Sequence, residues 1–235
     1  MLAAALACKL GADLSQVIAL EVQVPDSLEQ YDTIVPRARA LNGNGDAVPG
    51  ATILWATLDS AALAFPSNTT LAVNHPGLTG RLEAAVGSLI SNPVSIRTLF
   101  AADTLRPAGS TLDSILIPPG RPDSLSDSLK VELLTDTART RVPTDTLLPL
   151  SGRPIVFTIV RQTAGASVTL VTTDTAHARV GVDTVPTGPF GIAVVKIRLL
   201  GGPLPDTIVV IATARRAHGD TVPGAPDSFV VRFLP

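Results

Sequence analysis

Between Leu41 and Ile53 the chain reads LNGNGDAVPGATI, and Asn42, Asn44 and Asp46 alternate as the first three oxygen ligands of an EF-hand calcium loop do. That loop requires glycine at its sixth place and a bidentate glutamate at its twelfth, where this chain has Ala47 and Ile53, so the calcium-loop reading fails. Gly43 and Gly45 instead suit a tight turn, supplying positive φ between a strand closing at Leu41 and one opening at Ala51. The histidines, His75, His177 and His218, stand at no metal-ligand spacing from one another or from the single cysteine, Cys8. Each is beside a turn or strand-end signal and reads as an exposed loop residue. No Gly-x-Ser-x-Gly elbow, His-Glu-x-x-His pair, phosphate-binding loop or Gly-x-Gly-x-x-Gly element occurs. The expectation is a protein that is not an enzyme, with no catalytic residue to name.

The elements that would position any site are strands. Ile18, Leu20, Val22 and Val24 alternate with Ala19, Glu21 and Gln23, a period of two with one wet face. The same period runs through residues 34–41, 52–56, 81–86 and 94–97, with shorter runs near 60–65 and 69–74. A second series follows at 129–133, 155–160, 167–170, 193–199, 207–212 and 228–233. No stretch after residue 16 holds a helical period, and 20 Pro and 18 Gly punctuate the runs, so the fold class expected is all-β. The Pro/Gly segment after LFAADTLRP places a boundary near residues 99–107. The expected organisation is a tether at 1–16, one sandwich at 17–100 and a second at 108–235, with Trp55 as a core residue of the first.

Of the sixteen Asp, all but Asp13 and Asp46 precede Ser or Thr directly, and both partners bond readily to nearby backbone N–H groups, which favours turns at strand ends. In a seven-strand sandwich the loops near 135–152, 172–189 and 216–226 gather at one end. There Asp136, Asp145, Asp174, Asp183 and Asp220 would approach Asp103, a candidate calcium site because hard cations take several oxygen ligands. Dispersed turn residues are the competing reading of the same six.

Eighteen Lys plus Arg against twenty Asp plus Glu leave a net charge of -2, with no electrostatic footprint for nucleic acid or anionic lipid. With 46% hydrophobic and 16% charged residues the chain has a core to bury. One Trp and one Tyr make an aromatic platform for sugars improbable.

Residues 1–8, MLAAALAC, resemble the end of a bacterial lipoprotein signal peptide, in which the cysteine thiol is lipidated. Leu6 falls one place nearer Cys8 than that pattern has it, no basic region precedes it, and the apolar core is short. Cleavage after Ala5-Leu6-Ala7 and a plain helical turn are the alternatives. Lipidation at Cys8 would make the protein exported and held at the cell envelope, with the membrane reached only through the anchor.

The stretches ALNGNGDAVPGATILWATLDSAALAF and GLTGRLEAAVGSLISNPVSIRTL are similar to a bacterial Ig-like domain of the intimin and invasin kind. The parts are a Gly/Asn turn at Gly43 to Gly45, a Val-Pro-Gly-Ala step at Val48 to Ala51, Trp55, and an Ala-rich strand at Gly80 to Val86. The second half matches more loosely, through SGRPIVFTIV, GPFGIAVVKIRLL and the C-terminal PDTIVVIATARRAHGDTVPGAPDSFVVRFLP, with Phe157 where a Trp would stand. The resemblance implies two tandem Ig-like antiparallel β-sandwiches without an inter-sheet disulfide. It implies a spacer or adhesion module whose partner is a protein or cell surface, and no cofactor. The tip of the second sandwich, around residues 118–127, 162–166 and 201–205, is the expected recognition surface, and Phe229 to Leu234 a candidate exposed edge for a subunit of a larger assembly.

Overall fold

The computed structural model describes residues 16–117, 124–136, 147–162, 164–171, 179–201 and 203–235. All the regular structure among them is strand, and the chain divides into two units, ending and beginning at Leu99 and Phe100.

The first unit contains β1 (Ala19–Gln23), β2 (Ser27–Glu29), β3 (Thr33–Ile34), β4 (Arg37–Leu41), β5 (Leu54–Thr57), β6 (Leu63–Ser67), β7 (Thr70–Val73), β8 (Thr79–Val86), β9 (Leu89–Ile90) and β10 (Val94–Leu99). One sheet runs β2-β10-β8-β5 with β9 on β8, and β2 lies parallel to β10. The opposing strands form the ladders β1-β4 and β3-β7-β6. The chain passes from β3 to β4 over Val35 and Pro36, and proline has no N–H to extend the ladder. Alternation drives the packing: Leu82 and Ile96 face inward from one sheet and meet Leu63 and Leu71 from the other, with Leu28 and Ala62 completing the buried cluster. Trp55 is half-buried and packs against that cluster, as do Ile34 and Phe65.

The second unit contains β11 (Thr104–Pro107), β12 (Leu112–Leu116), β13 (Ser124–Leu125), β14 (Leu129–Asp136), β15 (Leu147–Pro149), β16 (Pro154–Arg161), β17 (Ser167–Val171), β18 (Arg179–Val180), β19 (Val182–Pro186), β20 (Ile192–Gly201), β21 (Ile208–Ala214) and β22 (Asp227–Leu234). One sheet runs β11-β14-β20-β17-β18, the other β12-β22-β21-β16-β19. Val195 and Ile197 of the first face Phe157, Val210, Phe229 and Val231 of the second, all fully buried. Phe157 is thus a core residue of the second unit.

In both units the opening strand splits between the two layers. β1 and β11 pair antiparallel with β4 and β14, while β2 and β12 cross to the other sheet and pair parallel with the last strand. With the strands β6, β7 and β17, β20 beside them, each unit has the layer arrangement of an immunoglobulin-like sandwich. The period-two alternation predicts this all-β architecture, two tandem antiparallel β-sandwiches.

Some local expectations are corrected. Residues 104–107, assigned to the joint between domains, are β11, a strand of the second unit. The C-terminal strand β22 is not an edge, because β12 covers one side of it and β21 the other. Gly45 takes positive φ, 83°, as expected of the turn, but the second residue to do so is Gly50 (φ 73°), not Gly43.

Candidate protein-interaction face

The sheet β12-β22-β21-β16-β19 has two unlike surfaces. Register sets Val230, Val209 and Arg161 in one outward row and Ser228, Ile211, Thr158 and Val182 in the next. A third row runs from Thr213 through Val156 to Thr184. At the β12 edge Leu112 and Leu116 stand 65% and 68% exposed, opposite Val230 and Leu234. Val182 is 55% exposed at the other edge. Arg232 is the only charged side chain among these outward places until Arg161, where a bulge between Ile159 and Arg161 shifts the ladder.

Two comparisons within the chain show that strand propensity alone does not require this. Outward positions of the opposite sheet of the same unit hold Arg106, Lys130, Glu132, Lys196 and Arg198. Arg106 and Glu132 are register partners and pair at 2.9 Å. The corresponding sheet of the first unit carries Arg81, Glu83 and Arg97 outward on β8 and β10. Arg81 grips Asp59 with two guanidinium bonds of 2.8 and 3.0 Å, which pulls the carboxyl below and the guanidinium above their ordinary values. A contiguous aliphatic surface is the kind of patch that a solvated monomer keeps small.

Residues singled out by sequence fall elsewhere. Cys8, His177, Asp145 and Asp174 lie outside the described residues. Of the remaining calcium candidates, Asp103 accepts the backbone N–H of Asp136 at 2.9 Å on one oxygen and meets Arg216 at 3.1 Å on the other. Its charge is matched by a guanidinium. Asp183 is in strand β19 opposite Phe157, not in a loop, and Asp220 offers its backbone carbonyl to Arg216 N–H. Among the described residues no three His, Cys, Asp or Glu side chains converge as metal ligands would. His75 contacts the Ala61 carbonyl at 2.9 Å through Nδ1, steadying the loop that holds Asp59. A surface depression of about 340 Å3 is lined by Ser110, Asp113, Asp127 and Lys130, and the Asp113 carboxylate there is engaged by Asp127 N–H at 3.0 Å.

The opening stretch has a second copy that a search for long-range periods passes over. Gly45 to Ala51, GDAVPGA, recurs as GDTVPGA at Gly219 to Ala225. Asn42 N–H donates to the Asp46 carbonyl as Arg216 N–H does to that of Asp220, Val48 N–H donates to the Ala40 carbonyl as Val222 N–H does to that of Ala214, and a β-bridge closes both turns. The two turns follow different strands, β4 in one unit and β21 in the other. In the second unit the turn clasps β11: Arg216 Nε donates to Ala102 O at 3.0 Å, and Leu105 N–H donates to Pro223 O at 2.9 Å. This clasp fixes the entry of the second sandwich.

No protein-family model matches the sequence, and no curated protein is similar to it. Solved structures similar to the chain include the Yersinia pseudotuberculosis adhesin InvE, 18% identical over 91% of this chain with a TM-score of 0.42. The chain spans 58% of that adhesin's length. The S-layer protein SbsC, domains 4 and 5, is 12% identical over 94% of this chain and 100% of its own, at a TM-score of 0.32. The D00-D0 domain of intimin is 13% identical over 91% and 98%, at 0.29.

Proposed function

We propose that this chain is a non-enzymatic module of the cell envelope that holds or binds another protein through the outer face of the β12-β22-β21-β16-β19 sheet. The observation that carries the reading is the contrast between sheets: one outward face of the second unit carries five charged side chains, the other only Arg232 and Arg161 among aliphatic and hydroxyl side chains. Burying such a face contributes roughly 25 cal/mol per Å2 of apolar surface, so leaving it in water has a continuing cost that a partner removes. A recognition surface built only on the tip loops of the second unit would be weak, since those loops are Pro/Gly-rich and poor in aromatics.

The chemistry suggested for Cys8 supplies the tether. A thioether-linked diacylglycerol and an acyl chain on a new N-terminal amine would hold the module at a membrane, consistent with two acyl signals being needed for stable anchoring. The protein is then a lipid-anchored spacer or adhesion module, exported to the envelope. Its mass after extraction from native membranes, compared with that of Cys8→Ser, tests the anchor.

The binding face has its own test. Ile211→Lys places a charge at the centre of the aliphatic rows, whereas Lys130→Glu reverses a charge on the opposite sheet. Extracts of native envelope are sized under mild detergent for each variant and the wild type. The reading expects Ile211→Lys alone to leave the large complexes; equal retention of all three overturns it.

A further inference from the structure

The turn between β4 and β5 holds two Asn-Gly steps in succession, Asn42-Gly43 and Asn44-Gly45, and no other asparagine of the chain precedes glycine. Such a step lets a backbone amide attack the asparagine side chain, because glycine has no Cβ to hinder the approach. We infer that the fold directs this chemistry to one of the two: Asn44 is a site of spontaneous deamidation, and Asn42 is held out of it. The Gly45 nitrogen loses its proton to solvent base and bonds to Asn44 Cγ; the Cγ–Nδ2 bond breaks and ammonia leaves. The succinimide so formed takes up one water at either carbonyl, giving aspartate or isoaspartate at position 44. The net exchange is one ammonia for one water, and nothing is oxidised or reduced.

Hydrogen bonding separates the two steps. Asn42 Oδ1 accepts the N–H groups of Asn44 and Asp46, both at 2.9 Å, so the side chain is the inner brace of the turn. Turning its Cγ toward the Gly43 nitrogen breaks both bonds and strips two backbone donors of their acceptor. The Asn44 side chain is exposed and has no hydrogen-bond partner among the described residues. Its step is restrained by one bond alone, from Gly45 N–H to the Asn42 carbonyl at 3.0 Å, and Gly45 is itself exposed. The surroundings are open: a Cβ placed on Gly45 meets nothing within 4 Å.

The second copy of this turn shows that its shape does not call for the asparagine. Arg216-Ala217-His218-Gly219-Asp220 stands where Asn42-Gly43-Asn44-Gly45-Asp46 does. Gly219 N–H donates to the Arg216 carbonyl at 2.9 Å, and Gly219 has a positive φ of 98° as Gly45 has one of 83°. His218 takes the Asn44 place and has no side-chain amide to lose. The two products at position 44 differ in effect. Aspartate keeps the course of the main chain and adds a negative charge two residues from Asp46. Isoaspartate routes the main chain through Cγ, one carbon longer, inside the β-bridge between Leu41 and Ala47 that closes the turn, and the bond from Gly45 to Asn42 is lost.

The test holds the full chain for weeks at mildly alkaline pH, folded in buffer and unfolded in guanidinium chloride. Digests are then mapped by mass spectrometry with electron-transfer fragmentation, which separates aspartate from isoaspartate. In the unfolded chain both steps are expected to convert at similar rates. In the folded chain position 44 is expected to convert about tenfold faster than position 42, the factor that one additional hydrogen bond of ordinary strength supplies. Both aspartate and isoaspartate are expected at position 44, the mark of a succinimide. Asn44→His, which copies the second turn and is checked for folding by circular dichroism, is expected to leave the turn unconverted. Equal conversion of the two asparagines in the folded chain overturns the inference, as does faster conversion at Asn42. A folded chain in which neither changes while the unfolded one converts overturns it too, and so does conversion at Asn42 in the Asn44→His variant.

Discussion

The guanidinium of Arg216 lies 3.1 Å from Asp103 Oδ1 and donates through Nε to the Ala102 carbonyl, while the second Asp103 oxygen receives the Asp136 N–H. Three strand ends, the entry to β11, the exit of β14 and the turn after β21, meet on this one ion pair. Asp103 is 7% exposed and Arg216 24%. Removing the arginine leaves a nearly buried carboxylate with a single backbone donor, and breaking such a pair costs roughly 2 to 4 kcal/mol. Arg216→Ala is therefore expected to lower the stability of the second unit by that order in urea denaturation. Asp103→Asn should cost less, because the amide is neutral and still accepts from Asp136.

Glycines in the repeated turn separate conformational strain from collision. Gly50 and Gly224 both adopt positive φ, 73° and 88°. A Cβ on Gly50 meets nothing within 4 Å, whereas one on Gly224 runs into the Leu105 carbonyl oxygen. Gly50→Ala should cost about 1 to 2 kcal/mol, the penalty of a left-handed L-residue. Gly224→Ala should cost clearly more, since the clasp on β11 must open. Equal losses for the two would show that the clasp contributes nothing.

Two carboxylates give opposite pH signatures. Arg81 bonding holds Asp59 below the usual carboxylate range, so its contribution is complete above the unfolded value of ~3.9 and is lost as pH falls through the lower folded value. Arg81→Ala should erase that acid-side dependence. Burial pushes Asp227 up, with the Ser228 N–H acting against the shift, so the cost of ionising it is absent below the unfolded value and complete once pH has risen through the folded one. Asp227→Asn should therefore be more stable than wild type at neutral pH and lose that advantage in acid. Denaturation midpoints across pH 2.5 to 7 check both, the window being set by the ~3.9 reference.

The two cores differ in size. Six buried residues form the cluster of the first unit and twenty-one that of the second, among the described residues. Calorimetry is expected to resolve two transitions, the lower belonging to the first unit. Leu82→Ala, deleting a fully buried side chain, should cost about 2 to 5 kcal/mol and move only the lower one. Val210→Ala should move only the upper.

Much of the fold is legible because half-buried strands write their burial in a period of two. Inward Ile155, Phe157, Ile208, Val210, Phe229 and Val231 all follow from that pattern. The short strands β2, β12 and β19 are harder to see, since three to five residues between turns carry too few alternations, and β2 and β12 owe their place to parallel pairing with distant strands. The candidate face has a signal that alternation obscures. In β16, β21 and β22 the outward series interleaves Val156, Val209, Ile211 and Val230 with Thr158, Thr213, Ser228 and Arg232, so aliphatic residues stand on both faces of these strands. The Gly45 and Gly219 repeats escape a periodic search because they occupy different turns of the two sandwiches.

Hydroxyl-radical footprinting of the protein in its native envelope, set against the same protein purified and dilute, tests the interaction face without assuming the occupant. The account predicts that Leu112, Leu116, Ile211 and Val230 are labelled in the dilute protein and protected in the envelope, while Lys130 and Glu132 on the opposite sheet are labelled alike in both. Equal labelling of the aliphatic face in the two settings would contradict it.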